Sequence, residues 1–141
     1  MDNTVRPFAK AYDILRGAGL RPTRQRLGLA RLLFGNGDRH VTAEQLHGEA
    51  ASANLRVSLA TIYNTLNQFR DVGLLREVVV EPSRSYFDTN ASDHHHFFHE
   101  EMAELQDIPG DEIAVGRVPT PPAGTEIDRV DIIVRVRKSG N

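Results

Sequence analysis

The spacing of apolar residues changes abruptly at Gly73, and this change constrains the fold strongly. Before Gly73, apolar side chains recur at helical spacing in four segments. The first segment covers residues 6–17, and the others begin at three residues of helix-capping type, Thr23, Thr42 and Ser58. After Gly73, residues 74–80 and 84–88 are rich in β-branched or aromatic side chains and flank a polar turn. Four helices followed by a β-hairpin predict a winged helix-turn-helix.

Residues 1–87 are therefore predicted to form one domain, and residues 88–141 a second, smaller one. A helical turn is predicted near residues 111–115, and apolar and polar residues alternate over residues 127–137. The alternation places four side chains on one face of a strand: Val130, Ile132, Val134 and Val136. Because a segment of roughly 55 residues buries only a small core by itself, we expect this domain to complete its core across the two-fold axis of a homodimer.

Charge is distributed unevenly along the chain. Residues 1–85 contain 12 Lys and Arg against 8 Asp and Glu, a balance of +4, whereas residues 86–141 contain 5 against 11, a balance of −6. A basic first part favours contact with double-stranded DNA, and an acidic, histidine-rich second part favours cations. The absence of cysteine excludes disulfides and thiolate metal sites. No apolar run approaches the ~20 residues of a membrane span, so a cytoplasmic location without a membrane partner is expected.

Residues 56–66 are the candidate recognition helix. A helix that reads the major groove needs small or polar side chains on its exposed face, because its backbone must approach the duplex. The residues that meet this requirement are Ser58, Ala60, Thr61, Tyr63 and Asn64. The candidates for phosphate contacts are the arginines nearby, Arg16, Arg21, Arg24, Arg26 and Arg56. The alternative interpretation is an ordinary amphipathic helix with a solvated polar face.

Four of the six histidines lie within residues 94–99. In an extended segment His94 and His96 point the same way, so that two imidazoles can hold one ion while His95 faces the other side. Imidazole and carboxylate ligands suit zinc, iron and manganese, and the carboxylates considered are Asp88, Asp107 and Glu112. The three consecutive histidines, with the two phenylalanines that follow them, are also a candidate haem site. A third interpretation is an exposed polar turn.

His40 stands apart from this cluster, just before the predicted third helix. By itself it is interpreted either as a helix-entry residue or as a metal ligand. A mononuclear metalloenzyme with histidine and carboxylate ligands is a remote alternative for the whole chain, with Glu100 as its general base. No segment that would shape a substrate pocket is recognisable, so we do not expect an enzyme.

Several stretches of the chain resemble the ferric uptake regulator family and, within it, the iron response regulators of alphaproteobacteria. They are, in chain order, GLRPTRQR, HVTAEQL, VSLATIYNTLNQFRDVGLL, YFDTNASDHHHFF, LQDIPGDEI and IDRVDIIVRVRK. The resemblance implies an α+β fold, in which a winged helix-turn-helix DNA-binding domain precedes a small α/β dimerisation domain. It also implies a metal site at the hinge between the domains, with the ligands His40, Asp88, His94, His96 and Asp107.

The same resemblance implies a function. It is that of an iron-responsive regulator that binds promoter DNA as a dimer and controls genes of iron uptake, iron storage and haem synthesis. Metal or haem is the implied signal, and haem or a haem-synthesis enzyme an implied partner. The alternative is a peroxide-, manganese- or zinc-sensing regulator of the same family. The chain departs from the family pattern in lacking the paired CxxC motifs, in having no histidine after His99, and in having Asn64 where many members have arginine.

Overall fold

The computed structural model describes residues 8–140, which form two compact units divided after Ala91. The predicted start of the first helix near residue 6 lies outside the described residues. The first unit extends beyond the predicted boundary after Phe87. Asp88 completes a strand of this unit, and the Thr89 backbone N–H donates to the Arg39 carbonyl at 3.0 Å. None of the helices within residues 8–140 is both long and apolar enough to cross a bilayer.

Three of the four helices in the first unit begin at the predicted capping residues. The helices are α1 (Ala9–Gly17), α2 (Arg24–Phe34), α3 (Ala43–Ser52) and α4 (Leu59–Asp71). The side-chain oxygens of Thr23, Thr42 and Ser58 each accept a hydrogen bond from a backbone N–H of the first helical turn, which would otherwise lack a partner. After α4, Gly73 adopts a φ of +83°, a left-handed conformation that glycine adopts readily at helix ends.

The core of the first unit consists of apolar side chains from all four helices. Its fully buried helical residues are Leu15, Leu29, Ala30, Leu33, Leu46, Ala50, Ile62, Leu66 and Phe69. On α4 the buried residues Ile62, Leu66 and Phe69 recur at helical spacing, so that one stripe of the helix faces the core. The opposite face of α4, which carries Tyr63 and Asn64, is therefore left exposed.

A three-stranded antiparallel sheet completes the first unit. Its strands are β1 (His40–Val41), β2 (Arg76–Glu81) and β3 (Arg84–Asp88), in the order β1-β3-β2. Strands β2 and β3 form the predicted hairpin, which is thereby confirmed. The register of β1 on β3 places His40 opposite Asp88. The sheet thus brings together two residues that are far apart in the sequence.

The second unit contains a three-stranded mixed sheet. Its strands are β4 (His95–His99), β5 (Glu104–Ile108) and β6 (Ile133–Val136), in the order β5-β4-β6. Strand β5 is antiparallel to β4, and its register places His96 opposite Asp107, whereas β6 is parallel to β4. The buried apolar side chains among the described residues of this unit are Phe98, Leu105 and Ile108.

The C-terminal part of this unit differs from the predicted secondary structure in two places. The strand expected over residues 127–137 is confined to Ile133–Val136, and Val130 and Val134 are exposed. The helical turn expected over residues 111–115 is a 3₁₀ turn at Gly110–Glu112. Residues 113–132 form neither helix nor strand. Three prolines in this stretch, which lack a backbone N–H donor, account for part of the difference. Helices in the first unit and small sheets in both units give the expected α+β class.

Candidate functional site

The first unit pairs the imidazole of His40 with the carboxylate of Asp88. The His40 Nε2 lies 3.1 Å from the Asp88 Oδ2, and the Asp88 side chain is only 1% exposed. The other carboxylate oxygen accepts a hydrogen bond from the Asn90 backbone N–H at 2.9 Å. A buried carboxylate is costly to retain unless it is paired and hydrogen-bonded, and both conditions are met here. The otherwise solitary His40 therefore has a defined partner, supplied by strand pairing.

Arg39, the residue before His40, fixes the position of this pair in three ways. Its backbone N–H donates to the Thr89 Oγ1 at 2.8 Å, while its carbonyl accepts from the Thr89 backbone N–H at 3.0 Å. Its guanidinium donates to both carboxylate oxygens of Glu49 on α3, at 2.9 and 2.6 Å. It also donates to the Leu32 carbonyl at 3.2 Å. The backbone that carries His40 is thus attached to α2, α3 and the end of β3.

The second unit directs two imidazoles at one carboxylate oxygen. The Nε2 atoms of His94 and His96 lie 3.1 and 3.4 Å from the same Asp107 Oδ1. Both histidines are buried, with their ring centroids 4.5 Å apart. The Nδ1 of His94 donates to the Ser92 carbonyl at 2.7 Å, so that in the neutral ring Nε2 carries the lone pair. The prediction that His94 and His96 point the same way is confirmed.

The donor chemistry of the second unit suits a divalent transition metal. His94, His96 and Asp107 each offer a ligand atom, and these atoms lie within 4.8 Å of one another. Two imidazole nitrogens and a carboxylate oxygen are ligands that zinc, iron and manganese accept. The Ser92 carbonyl orients the first imidazole as outer-shell partners of metal-bound histidines commonly do. These residues therefore fit a metal ion.

The three histidines of the candidate haem site do not converge. His95 points away from the other two, and its Nδ1 accepts a hydrogen bond from the Ile132 backbone N–H at 3.1 Å. Phe98, considered as apolar surface for a porphyrin, is fully buried in the core of the unit. Glu112, considered as a further carboxylate ligand, is exposed in the 3₁₀ turn. The described structure of this segment therefore favours a single ion over a haem.

The candidate DNA-contacting residues of α4 lie at its N-terminal end and along its exposed face. The Ser58 hydroxyl accepts from the Thr61 backbone N–H at 3.1 Å and donates to the Thr61 hydroxyl at 2.9 Å. Four of the candidates are exposed, namely Ser58, Ala60, Tyr63 and Asn64, and Thr61 is half-buried. The Tyr63 hydroxyl donates to the Glu44 carboxylate on α3, an interaction that raises the pKa of Tyr63 above its usual value.

The candidate arginines have different surroundings. Arg16, Arg21, Arg24 and Arg56 are exposed. Arg26 is half-buried, and its guanidinium donates to the Arg21 carbonyl and the Gln68 side chain, both at 3.0 Å. Arg26 therefore connects α2 to α4 and is a structural residue, whereas the exposed arginines remain candidates for phosphate contacts.

Comparison with known proteins identifies the family of the chain. The sequence model that describes the ferric uptake regulator family matches residues 17–130 of the chain. These residues include both histidine–aspartate groups and α4. The chain belongs to the ferric uptake regulator family. This confirms the family resemblance noted in the sequence, without assigning the chain to a branch of that family.

A curated relative agrees with this membership, and two solved structures share the fold. The peroxide-responsive repressor PerR of Staphylococcus aureus strain Mu50 is 36% identical over 94 residues, 67% of this chain and 63% of that protein. The chain thus spans less than two thirds of the length of the curated relatives it matches. Two ferric uptake regulator structures share the fold at 24% identity each. The Pseudomonas aeruginosa regulator with manganese has a TM-score of 0.68 over 91% of this chain and 97% of its own. The Vibrio cholerae regulator has a TM-score of 0.69 over 89% and 98%.

Several residues around the candidate site were not predicted from the sequence. Arg39, Glu49 and Thr89 hold the backbone beside His40, and Ser92 orients His94. The contacts of Arg39 join segments 10 and 50 residues apart, for which the sequence carries no local signal. The bond between Ser92 and His94 is local, but it uses a backbone carbonyl, which no residue type marks in advance. Glu44 had one available signal, since a carboxylate in the first turn of a predicted helix next to a recognition helix is well placed to meet its side chains.

Proposed function

We propose that the chain is a metal-responsive transcription regulator that binds promoter DNA as a homodimer. The observation that carries the proposal is the convergence of His94 and His96 on one oxygen of Asp107, in a member of the ferric uptake regulator family. The winged arrangement of α4 and the β2–β3 hairpin in the same chain supports the DNA-binding part. The matching regulator structure from Pseudomonas aeruginosa, described with manganese, supports the metal-binding part.

The proposed metal ligands come from both units. They are His40 and Asp88 from the first, and His94, His96 and Asp107 from the second. Each group already joins imidazole nitrogen to carboxylate oxygen, and the family resemblance implies that one ion uses both. An ion with ligands on two units restricts their relative motion, and it regulates DNA binding to the extent that it prefers the DNA-competent arrangement.

The proposed DNA contacts follow the exposed face of α4. Tyr63 and Asn64 reach base edges, while Ser58, Ala60 and Thr61 allow the backbone to approach the duplex. Arg16, Arg21 and Arg56 contact phosphates, which makes binding weaker at high salt. Because operators are commonly palindromic, two α4 helices in a dimer would read two half-sites.

The proposed homodimer is supported by apolar side chains that the second unit leaves exposed. Val134 lies on β6, Ile127 and Val130 precede it in the chain, and all three are open to solvent in the single chain. Burial of such residues against a second copy removes apolar surface from water, which favours association. The proposed location is the cytoplasm, where promoter DNA is accessible in a bacterium.

The proposal also names the chemical signal to which the regulator responds. We propose iron status, because the resemblance to iron response regulators extends over nearly the whole chain and the ligand set consists of nitrogen and oxygen donors that accept Fe²⁺. Peroxide sensing is the second candidate, favoured by the 36% identity to the peroxide-responsive repressor PerR. Haem is a further signal implied by the resemblance, and the experiments below include it.

Metal binding is tested by titrating the purified protein with Mn²⁺, Zn²⁺ and, without oxygen, Fe²⁺, and by following haem binding through the Soret band. We expect His96→Gln and Asp107→Asn to weaken metal binding at least about tenfold, since each removes a ligand or weakens the charge of one. His99→Gln is the matched control, because His99 lies on the same strand but bonds Gln106 instead. Equal affinities in all four proteins would contradict the proposed ligand set.

DNA binding is tested by selecting preferred duplexes from a random pool with the wild-type protein, and by measuring affinity with each metal, with haem and after peroxide treatment. Asn64→Ala is expected to lose about tenfold in preference for the selected duplex, as expected for one lost base contact. The control is Gln25→Ala, an exposed polar residue on α2. A wild-type protein that selects no sequence under any of these conditions would refute the proposed function.

A further inference from the structure

The side chain of Tyr63 on the exposed face of α4 is held by a carboxylate from the neighbouring helix. Its hydroxyl lies 2.9 Å from the Glu44 Oε1 and 3.0 Å from the Oε2, and a phenol that meets a carboxylate donates its proton to it. This hydrogen bond spans the two helices of the helix-turn-helix, since Glu44 lies in the first turn of α3. It therefore restricts the direction in which the exposed ring of Tyr63 can point.

The start of α3, from which the Glu44 side chain extends, is held by the structure around it. Thr42, two residues before Glu44, and Gln45, the residue after it, form a reciprocal cap. The Gln45 backbone N–H donates to the Thr42 Oγ1 at 3.1 Å, and the Thr42 backbone N–H donates to the Gln45 Oε1 at 2.9 Å. A carboxylate in the first turn is favoured by the positive end of the helix dipole. The cap and the buried Leu46 hold the start of α3, so the backbone from which the exposed Glu44 side chain extends is fixed.

The hydrogen bond changes what Tyr63 can offer to DNA. A phenol has one proton, and Glu44 already accepts it, so the phenol can no longer donate that proton to a phosphate oxygen or a base acceptor. What remains available is the oxygen as an acceptor, together with the ring. At the same surface Glu44 carries a negative charge, which repels phosphates more strongly at low salt than at high salt.

We propose that Glu44 is a positioning and specificity-determining residue of the DNA-binding surface. It holds Tyr63 in one orientation for base contact, and its charge opposes binding to duplexes in which Tyr63 makes no such contact. The inference rests on the proposed function, because it needs DNA to meet the exposed face of α4. It adds a residue outside α4 to those that determine which sequence is preferred.

The two parts of the inference are separated by two substitutions at the same position. Glu44→Gln keeps a carbonyl oxygen that accepts from Tyr63 but removes the charge, whereas Glu44→Ala removes both. The measured quantity is the specificity ratio, the affinity for the selected duplex divided by the affinity for a scrambled duplex, at low and high salt. One hydrogen bond of ordinary strength corresponds to a change of about fivefold in this ratio.

We expect Glu44→Gln to bind the scrambled duplex more tightly than the wild-type protein does at low salt. At high salt the two proteins should bind it equally. We expect Glu44→Ala to lower the specificity ratio about fivefold further than Glu44→Gln. In a Tyr63→Phe background the two substitutions at Glu44 are expected to give the same ratio, because no hydroxyl remains to be positioned. Asp38→Asn, which neutralises an exposed acid in a loop of the same unit, serves as the control.

The outcomes distinguish this inference from the function on which it rests. A selective wild-type protein whose ratio is the same with Glu44, Gln or Ala would overturn the inference and leave the proposed function intact. A fivefold difference that persists in the Tyr63→Phe background would also overturn it, since the effect would then not act through Tyr63. A wild-type protein without sequence preference would refute the proposed function itself. Thermal unfolding and dimer mass are measured on every variant to confirm that it folds and dimerises. If Glu44→Ala does not fold, Glu44→Gln still tests the effect of the Glu44 charge on DNA binding.

Discussion

Arg39 and Glu49 form a two-point ion pair, in which two guanidinium nitrogens lie 2.9 and 2.6 Å from the two carboxylate oxygens. The pair attaches the backbone beside His40 to α3, the helix that packs against α4. The structure therefore contains a chain of direct contacts from a candidate metal ligand to the helix-turn-helix within the first unit.

Arg39→Met is expected to lower the free energy of unfolding of the first unit by about 1 kcal/mol. The pair is charge-assisted and bidentate, but both side chains are about one-third exposed, which reduces its contribution. Loss of the attachment should also weaken metal binding about tenfold, as for other residues that orient a ligand. Urea denaturation and metal titration measure the two effects. Arg24→Met, at an exposed arginine on α2, is the control and should change neither the free energy of unfolding nor the metal affinity. Unchanged metal affinity in Arg39→Met would show that the ion pair does not position His40.

The helices and the hairpin of the first unit could be predicted because their signals are local. Thr23, Thr42 and Ser58 cap helices through the backbone amides that immediately follow them, and Gly73 marks a helix end by its own conformation. The common direction of the His94 and His96 side chains could also be predicted, because alternation along an extended segment decides which side chains point together. What could be predicted thus depended on neighbours within a few residues.

The remaining features depend on contacts between distant segments. Nothing near Arg39 in the sequence indicates that its guanidinium meets Glu49, and nothing near His95 indicates that its ring accepts the Ile132 N–H. The pairing of His40 with Asp88 was implied only by the family resemblance and required the strand register to be seen. The strand expected over residues 127–137 was too long, because alternation of apolar residues does not provide a pairing partner for every residue.

Two glycines of the first unit are expected to respond to alanine with opposite signs. Gly73 has a φ of +83°, so that an alanine there is strained and the free energy of unfolding should fall by about 1 kcal/mol. Gly48 lies within α3, and a Cβ at this position would meet no neighbouring atom within 4 Å, so that an alanine should raise the free energy of unfolding by about 0.5–1 kcal/mol. Urea denaturation of the Gly73→Ala and Gly48→Ala variants tests both predictions. Destabilisation by Gly48→Ala would indicate a contact at that face of α3.

The hydrogen bond to Glu44 predicts a pH dependence at Tyr63. Because the bond raises the pKa of Tyr63 above its unfolded value of about 10, its contribution to stability is present below that pH and is lost as the pH rises through the folded pKa. Glu44→Ala should return the pKa of Tyr63 toward 10. The pKa is measured by NMR titration of the tyrosine ring, with Tyr63→Phe to assign the signal. An identical titration of Tyr63 in wild type and Glu44→Ala would contradict the hydrogen bond in solution.

Phe98→Ala is expected to unfold the second unit while the first stays folded. Phe98 lies on β4 and is fully buried, and the other buried apolar residues described in this unit are Leu105 and Ile108. Truncation of a buried phenylalanine costs about 3–5 kcal/mol, a large fraction of the stability of a small unit. The first unit has its own core around Leu66 and Phe69 and does not depend on this residue.

The measurement for Phe98→Ala combines circular dichroism with the mass in solution. The helical signal of α1 to α4 should persist, while dimer formation and the binding of Mn²⁺ should both be lost, because β4 carries His96 and its pairing with β5 places Asp107 beside it. Met102→Ala is the matched control, since Met102 is 64% exposed and its truncation should change stability by less than about 0.5 kcal/mol. Retention of the dimer and of metal binding in Phe98→Ala would mean that the second unit is stabilised mainly by contacts outside its own sheet.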